Sequence, residues 1–419
     1  MTATSSSGEL ARTERLSLER PGHVRSMPAA RLGRSSVGEL SRVPAEQWDA
    51  LITPGSGALR HGFLRAWEQA ELRGLRSRAV LAFAEGSRVP VAACPGYLYD
   101  LDVPTTRAPQ LVPAINQIRR LWPNFLYART YELGSPTPLT NPFLVADQRL
   151  RSAAMLKLID AGVRAAADEE AEFMLVQNFV SLGGAAGEEL NRRNFAPVPI
   201  PHTAVVPVPY SSFEEYLGSM RAQYRRRAQQ TLKRSKALQI EHLRDFADEA
   251  DELARLWYAI YQRAREVRRE ILPQAFFQGV SSLPEASVLL ARRPDGSIAA
   301  FALLLDDDHT ISFVQCGFEE EARDEGAYFR LLYEIVRLGI ESGFEQVDLG
   351  ITTLKPKLDV GAVPLPQWAW LKHRNPLLQR AIRVMARGPL SPPDVSARHV
   401  FKEPQPTPVE IARVHGLVV

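Results

Sequence analysis

The stretch VQCGFEEEARDEGAYFRLLYEIVRLGIESGFEQVDLG, residues 314–350, decides how this chain is read. It continues a strand over Thr310–Phe318, enters a charged loop over Glu319–Glu325, and then opens a helix at Gly326 that runs to Ser342. Leu331, Leu332, Ile335, Val336 and Ile340 recur at the helical period, and Gly343 stands where a left-handed C-cap residue is expected. A second strand follows over Gln346–Leu349. A strand, a turn and a helix N-terminus in that order make an anion site, because unpaired backbone N–H groups and the helix dipole point at the same spot. The turn at Gly326 is therefore the first place to look for function.

Working outward, 419 residues suffice for two or three domains with buried cores, and 45% hydrophobic with 24% charged residues is ordinary for a globular protein. A net charge of +3 excludes a general polyanion binder, so any electrostatic message is local. Cys94 and Cys316 lie far apart, outside any C-x-x-C pattern, which argues against a disulfide scaffold or structural zinc and for a reduced, cytoplasmic setting. No apolar run approaches the ~20 residues of a membrane span. Residues 1–38 are rich in Ser, Arg and Ala without a periodic face and read as a disordered leader.

Two hairpins stand out. Ala79–Ala93 holds two apolar runs around Glu85-Gly86-Ser87, and Ser287–Leu305 repeats that texture around Asp295-Gly296. Each is preceded by an amphipathic helix and followed by an isolated strand, a long helix and another strand: Tyr127–Leu133, 152–168 and Glu172–Phe179 in the first half, Thr310–Phe318, 326–342 and Gln346–Leu349 in the second. Self-similarity of this kind predicts an α/β chain of two related domains, 39–200 and 201–388, followed by a proline-rich tail, 389–419. Between the halves, prolines 197, 199, 201, 207 and 209 flank Thr203–Val206, which reads as an edge or crossover strand. Ser211 or Ser212 then caps a helix carrying Phe213, Tyr216, Leu217, Met220, Tyr224, Ala228 and Leu232 on one face. Its far end gathers Arg221, Arg225, Arg226, Arg227, Lys233, Arg234 and Lys236 with no acid among them, either a solvated face or an anion site.

The basic helix SFEEYLGSMRAQYRRRA from Ser212, followed by hairpin, strand, long helix and a strand ending QVDLG at Gly350, resembles the acyltransferases of the GNAT superfamily. It is similar above all to the Fem-like branch, in which two GNAT-type domains occur in tandem, and the likeness runs over roughly residues 40–385. It implies two mixed, mostly antiparallel sheets flanked by helices. It also implies transfer of an acyl group from acyl-CoA to an amine, or, in true Fem enzymes, of an aminoacyl group from tRNA to a cell-wall precursor. The family's pyrophosphate loop, R/Q-x-x-G-x-G/A, matches Arg323-Asp-Glu-Gly326-Ala327-Tyr328 in part, with Tyr328 in place of the last small residue. Glycine is needed there so that backbone N–H groups reach phosphate, and a cation beside it.

For the chemistry, an amine attacks a thioester carbonyl, so a base near nitrogen and a donor near oxygen suffice. Asp348, alternating with Val347 and Leu349, is the first candidate base; an ion-paired strand end is the competing reading. The strand segment Gln315-Cys316-Gly317 is the candidate backbone donor, with Cys316 itself a core residue and no nucleophile. His202 in the proline-rich crossover is a weaker candidate. The resemblance carries over a lysine before a glycine, which points to Lys357 for catalysis and to Lys355, with Arg225, Arg226 and Lys233, for acceptor or anion binding. Asn375–Met385 sets Leu377, Leu378, Ala381, Ile382 and Met385 against Arg380 and Arg383, the pattern of a helix on its own domain or on an anionic membrane. The combined reading is an acyl-CoA-dependent N-acyltransferase, with a long-chain amine such as a sphingoid base as acceptor if that helix meets membrane. A non-catalytic anion- or RNA-binding module on the same fold is a further alternative.

Overall fold

The computed structural model describes residues 31–53, 56–103, 112–135, 142–264, 270–351, 353–386, 395 and 397–414. Strands of the first half are β1 (Leu32–Gly38), β2 (Arg76–Ser77), β3 (Ala79–Ala84), β4 (Pro90–Cys94), β5 (Gly96–Asp102), β6 (Tyr127–Leu133), β7 (Leu144–Val145), β8 (Phe173–Phe179) and β9 (Ala196–Pro207). Helices α1 (Ala45–Asp49), α2 (His61–Trp67), α3 (Val112–Arg119), α4 (Arg151–Asp168) and α5 (Gly184–Arg192) lie among them. The linker supplies α6 (Phe213–Ser219) and α7 (Ala222–Arg234). The second half holds β10 (Gln239–Leu243), α8 (Ala250–Arg263), α9 (Gln274–Ser281), β11 (Ala286–Arg292), β12 (Ile298–Asp306), β13 (Thr310–Phe318), α10 (Ala322–Glu325), α11 (Ala327–Glu341), β14 (Gln346–Asp348), α12 (Leu354–Asp359), β15 (Val363–His373), α13 (Pro376–Ala386) and α14 (Pro408–Val414).

A long sheet runs β10-β11-β12-β13-β14-β9-β15-β8-β6-β5-β2, and a smaller one runs β1-β3-β4-β7. Its two parallel pairs, β6 with β8 and β13 with β14, stand in equivalent places in the two halves. The halves exchange their last strands. β9 leaves β8 through α5 yet pairs with β14; β15 leaves β14 through α12 yet pairs with β8, and β9 and β15 pair with each other at the centre. The crossover is therefore a central strand and not an edge, and the expected boundary at 200/201 falls inside it. Proline is tolerated there because Pro197, Pro199 and Pro201 alternate. β14 pairs only with Val205–Pro207, so the missing N–H groups can all fall on the unpaired side.

Further expectations change. The leader was expected to run to residue 38, but Leu32–Gly38 is β1, paired antiparallel with β3; residues 1–30 lie outside the described residues. A short strand held by one neighbour carries too little periodicity to stand out from a Ser- and Arg-rich context. The linker helix is broken at Met220, whose backbone is extended and bridges Phe401, so the tail docks on the linker through buried Val400 and Phe401. The expected loop before Gly326 contains the helical turn α10. The capping box is present: Ser212 Oγ accepts from Glu215 N–H at 3.1 Å, and the Glu215 carboxylate accepts from Ser211 N–H at 2.7 Å.

Helix α11 packs Leu331, Leu332, Ile335, Val336 and Ile340 onto the second half of the sheet. That burial contributes an upper value of about 10 kcal/mol at ~2 kcal/mol per side chain. On the opposite face α8 lies so close to β13 that a Cβ on Gly317 would stand 2.6 Å from the Trp257 nitrogen and from the Leu256 carbonyl carbon. β13 is thus clamped between α11 and α8.

Candidate active site

β13 is nine residues long, but β14 pairs only with its first three, ending at Ser312 opposite Asp348. Beyond that point, among the described residues, no strand lies beside β13 on this side, so the two strands part. At the parting, the ladder between β12 and β13 shifts register between Leu303/Leu304, leaving Val314 as an extra residue that bends the strand. Half-buried Val314, Gln315, Cys316 and Phe318 border the resulting cleft.

Asp348 sits at its vertex. Thr203 of β9 donates its hydroxyl to Asp348 Oδ1 at 2.8 Å, and Gly350 N–H donates to the same oxygen at 2.7 Å. Burial pushes the carboxyl up to about 6, opposed by those two donors and by the nearby ammonium of Lys357. It is therefore ionised at neutral pH yet close to its titration point. Lys357 is 1% exposed, its Nζ 5.8 Å from the Phe313 ring centre. This lysine lies on the buried side of α12, whereas Lys355, two residues earlier, is exposed. Cys316 feels the same ammonium, but burial pushes its thiol up to about 11, which keeps it protonated and unreactive.

The turn at Gly326 adopts φ +77° and separates α10 from α11. Gly326 N–H is itself engaged by Arg323 O at 3.1 Å. Arg330 N–H is the first of α11 to meet a carbonyl, Gly326 O at 2.9 Å, so the N–H groups of Ala327, Tyr328 and Phe329 remain for an anion. Arg323 is exposed and pairs with Glu320 at 3.0 Å. The cation that reaches the turn is Arg234, at the end of α7, 3.8 Å from Asp324 and also 3.8 Å from where a Gly326 Cβ would lie. Glu325 is neutralised by Arg293 at 2.8 Å. Tyr328 is half-buried and packs against Phe318 of β13 with ring centres 5.7 Å apart.

Other sequence candidates fall elsewhere. His202 precedes Thr203 on β9 where the ladder with β15 shifts register, and it is not among the bonded partners of Asp348; burial lowers its basicity. The Gln315 side chain accepts from Trp257 Nε1 at 2.8 Å and so braces α8. Gly317 serves the close approach of that helix. Arg225 reaches Met220 O at 3.3 Å, closing α6, while Arg226, Lys233 and Lys236 pair with no acid among the described residues. Thr203 and the bulge at Val314 escaped sequence reasoning: a hydroxyl 145 residues away from its carboxylate leaves no local signal.

A parallel strand pair that splays beside a helix N-terminus, with a buried carboxyl at the vertex, can be set against known families. Residues 218–356 match the family model described as an acetyltransferase (GNAT) domain. That segment is a GNAT-type domain, and the fold of the chain as a whole is similar to that of a Fem protein. In the solved structure of FemX the fold is similar at TM-score 0.53 and 12% identity, covering 82% of this chain and 99% of that one. The C-terminal domain of a putative lysylphosphatidylglycerol synthetase from Agrobacterium fabrum is similar at TM-score 0.48 and 14% identity, covering 82% and 94%. Among curated proteins, the putative 8-amino-7-oxononanoate synthase 2 of Mycobacterium tuberculosis, in strains CDC 1551 / Oshkosh and ATCC 25618 / H37Rv, is 25% identical over 333 residues, covering 75% of this chain. The match spans 42% of that protein's length. The matched segment contains β13, α11 and β14 together with the turn Arg323–Tyr328.

Proposed function

We propose that this tandem GNAT protein is an N-acyltransferase that moves an acyl group from a coenzyme A thioester to an amine. The observation that carries the reading is the open edge of β13 running from the Gly326 turn to buried Asp348 and Lys357. An extended, amide-bearing carrier can hydrogen-bond to such an edge as an added strand. Its pyrophosphate then meets the free N–H groups of Ala327, Tyr328 and Phe329, with Arg234 beside them and Arg226, Lys233 and Lys236 further along α7. The amine nitrogen attacks the thioester carbonyl carbon and the Asp348 carboxylate takes the nitrogen's proton. Negative charge on the carbonyl oxygen is met by Lys357 and by backbone N–H groups of β13 near the bulge. The C–S bond then breaks, and the departing thiolate collects the proton.

The printed name of the curated relatives supports an acceptor class. Their 8-amino-7-oxo product carries an amine beside a ketone, and this chain corresponds to only two fifths of such a protein. An amine of that kind, a 2-amino ketone or the amino alcohol obtained by reducing it, is a fitting acceptor here, and a long-chain sphingoid base is the version we favour. The test is thiol release from acyl-CoA donors of graded chain length, each with a long-chain 2-amino alcohol and with a small soluble amine. Amine-dependent release with the amino alcohol supports the reading. Thermal shift with coenzyme A and with tRNA separates the aminoacyl alternative, which the unpaired cations of α7 favour. Stabilisation by tRNA alone would overturn the acyl-CoA assignment.

A further inference from the structure

Helix α13 is built inside out. Its buried residues are Gln379 and Ile382, while Leu377 is 78%, Leu378 51%, Val384 65% and Met385 45% exposed. In a helix packed on its own domain the apolar stripe faces inward. Here the inward face is fixed by a polar anchor: Gln379 Nε2 donates to Asn194 O at 2.6 Å, and its Oε1 accepts from His373 N–H at 2.7 Å. Arg383 adds a bond to Asn194 Oδ1 at 2.7 Å, which leaves Arg380 exposed beside the apolar stripe. The helix contains no acid.

A second apolar patch lies at the same end of the sheet. Leu121 is 93% and Trp122 61% exposed in the turn after α3, with Ile118 at 44% and Leu126 at 43%. The register places the two patches together. His373 at the end of β15 is opposite Phe173, Phe173 is opposite Thr130, and Tyr127 at the start of β6 is opposite Asp102 at the end of β5. Helix α13 therefore leaves β15, and the α3 turn spans β5 to β6, on one rim of the sheet, separated by three strand spacings, roughly 14 Å. Cations on this rim are Arg120, Arg374 and Arg380; the exposed acids are Asp168 and Glu170, and the Glu170 carbonyl is held by Arg374 at 3.3 Å.

We infer that this rim, the outward face of α13 together with the Leu121–Trp122 turn, docks on a lipid bilayer bearing anionic headgroups. Leucines, a methionine and an interfacial tryptophan enter the headgroup boundary, and the arginines meet lipid phosphate. Among the described residues no helix is long and apolar enough to cross a membrane, so the contact is one of surface insertion. This docking does not depend on the acyl-transfer reading and is measured without activity.

The experiment is co-sedimentation of the full chain with vesicles of phosphatidylcholine alone and of phosphatidylcholine with phosphatidylglycerol. Binding to the mixed vesicles and weaker binding to the neutral ones is expected. The exposed double substitution Leu377→Gln/Val384→Gln should lower partitioning tenfold or more, Trp122→Gln should lower it on its own, and Arg380→Gln should lower it roughly fivefold on anionic vesicles only. No sedimentation with either vesicle, or variants that bind like the parent, would overturn the inference. So would a concentration-dependent dimer that the double substitution dissolves, since the stripe would then be covered by a second copy.

Discussion

Asp348 is the base in the proposed reaction, and its surroundings specify how it should respond to change. Asp348→Asn removes the proton acceptor while keeping partners for Thr203 and Gly350, so kcat is expected to fall about a hundredfold or more with the fold retained, checked by steady-state thiol release beside circular dichroism. With the carboxyl at about 6, activity should decline as pH drops below that value. The same shift fixes a stability trend. A carboxyl raised in the folded state contributes stability below its ordinary range and loses it as pH rises through about 6, so the parent should lose stability relative to Asp348→Asn across that window in urea titrations. Lys357→Met takes away the ammonium that opposes the upward shift. The acid limb of the pH–rate profile should then move to higher pH, an effect that mere loosening of α12 would not produce. Asp348 was legible from alternation along QVDLG; its partner Thr203 was not, because strand order, and not sequence, brings it there.

Among elements, the clamp on β13 makes the sharpest demand. Gly317→Ala would drive a methyl into the backbone of α8 at Leu256 and Trp257, where no side chain can swing away. A loss of about 2 kcal/mol or more is expected in urea unfolding, with a raised KM for donor as the cleft wall shifts. Gly326→Ala has room, its nearest neighbour being Arg234 Cδ at 3.8 Å, and should cost only the left-handed backbone, about 1–2 kcal/mol. The long helix and both hairpins could be read from periodicity and turn residues, and β6 and β13 match the expected spans residue for residue. The break at Met220 and the turn α10 could not. The break arises from a tertiary contact with Phe401 that overrides local helix propensity, and the turn α10 buries Ala322 in the core.

For the molecule as a whole, duplication was visible as repeated texture, yet the exchange of β9 and β15 was not. Periodicity reports which side of a strand is buried, never which strand lies next to it. The exchange has a measurable outcome. Each half's sheet contains the other half's last strand, so scanning calorimetry should give one cooperative transition, and residues 31–207 and 208–414 expressed apart should each be insoluble with bare sheet edges. Two independent transitions would contradict it.

The prolines of β9 also act as a key cut for one lock. Slide that strand along β15 by a single residue, and Pro197 and Pro199 would each occupy a position where the ladder needs a donor. Every slip by an odd number of residues carries that fault; the observed alignment does not, and it delivers the Thr203 hydroxyl to Asp348. Residues with no chemistry of their own thereby help to aim the one that touches the buried carboxyl.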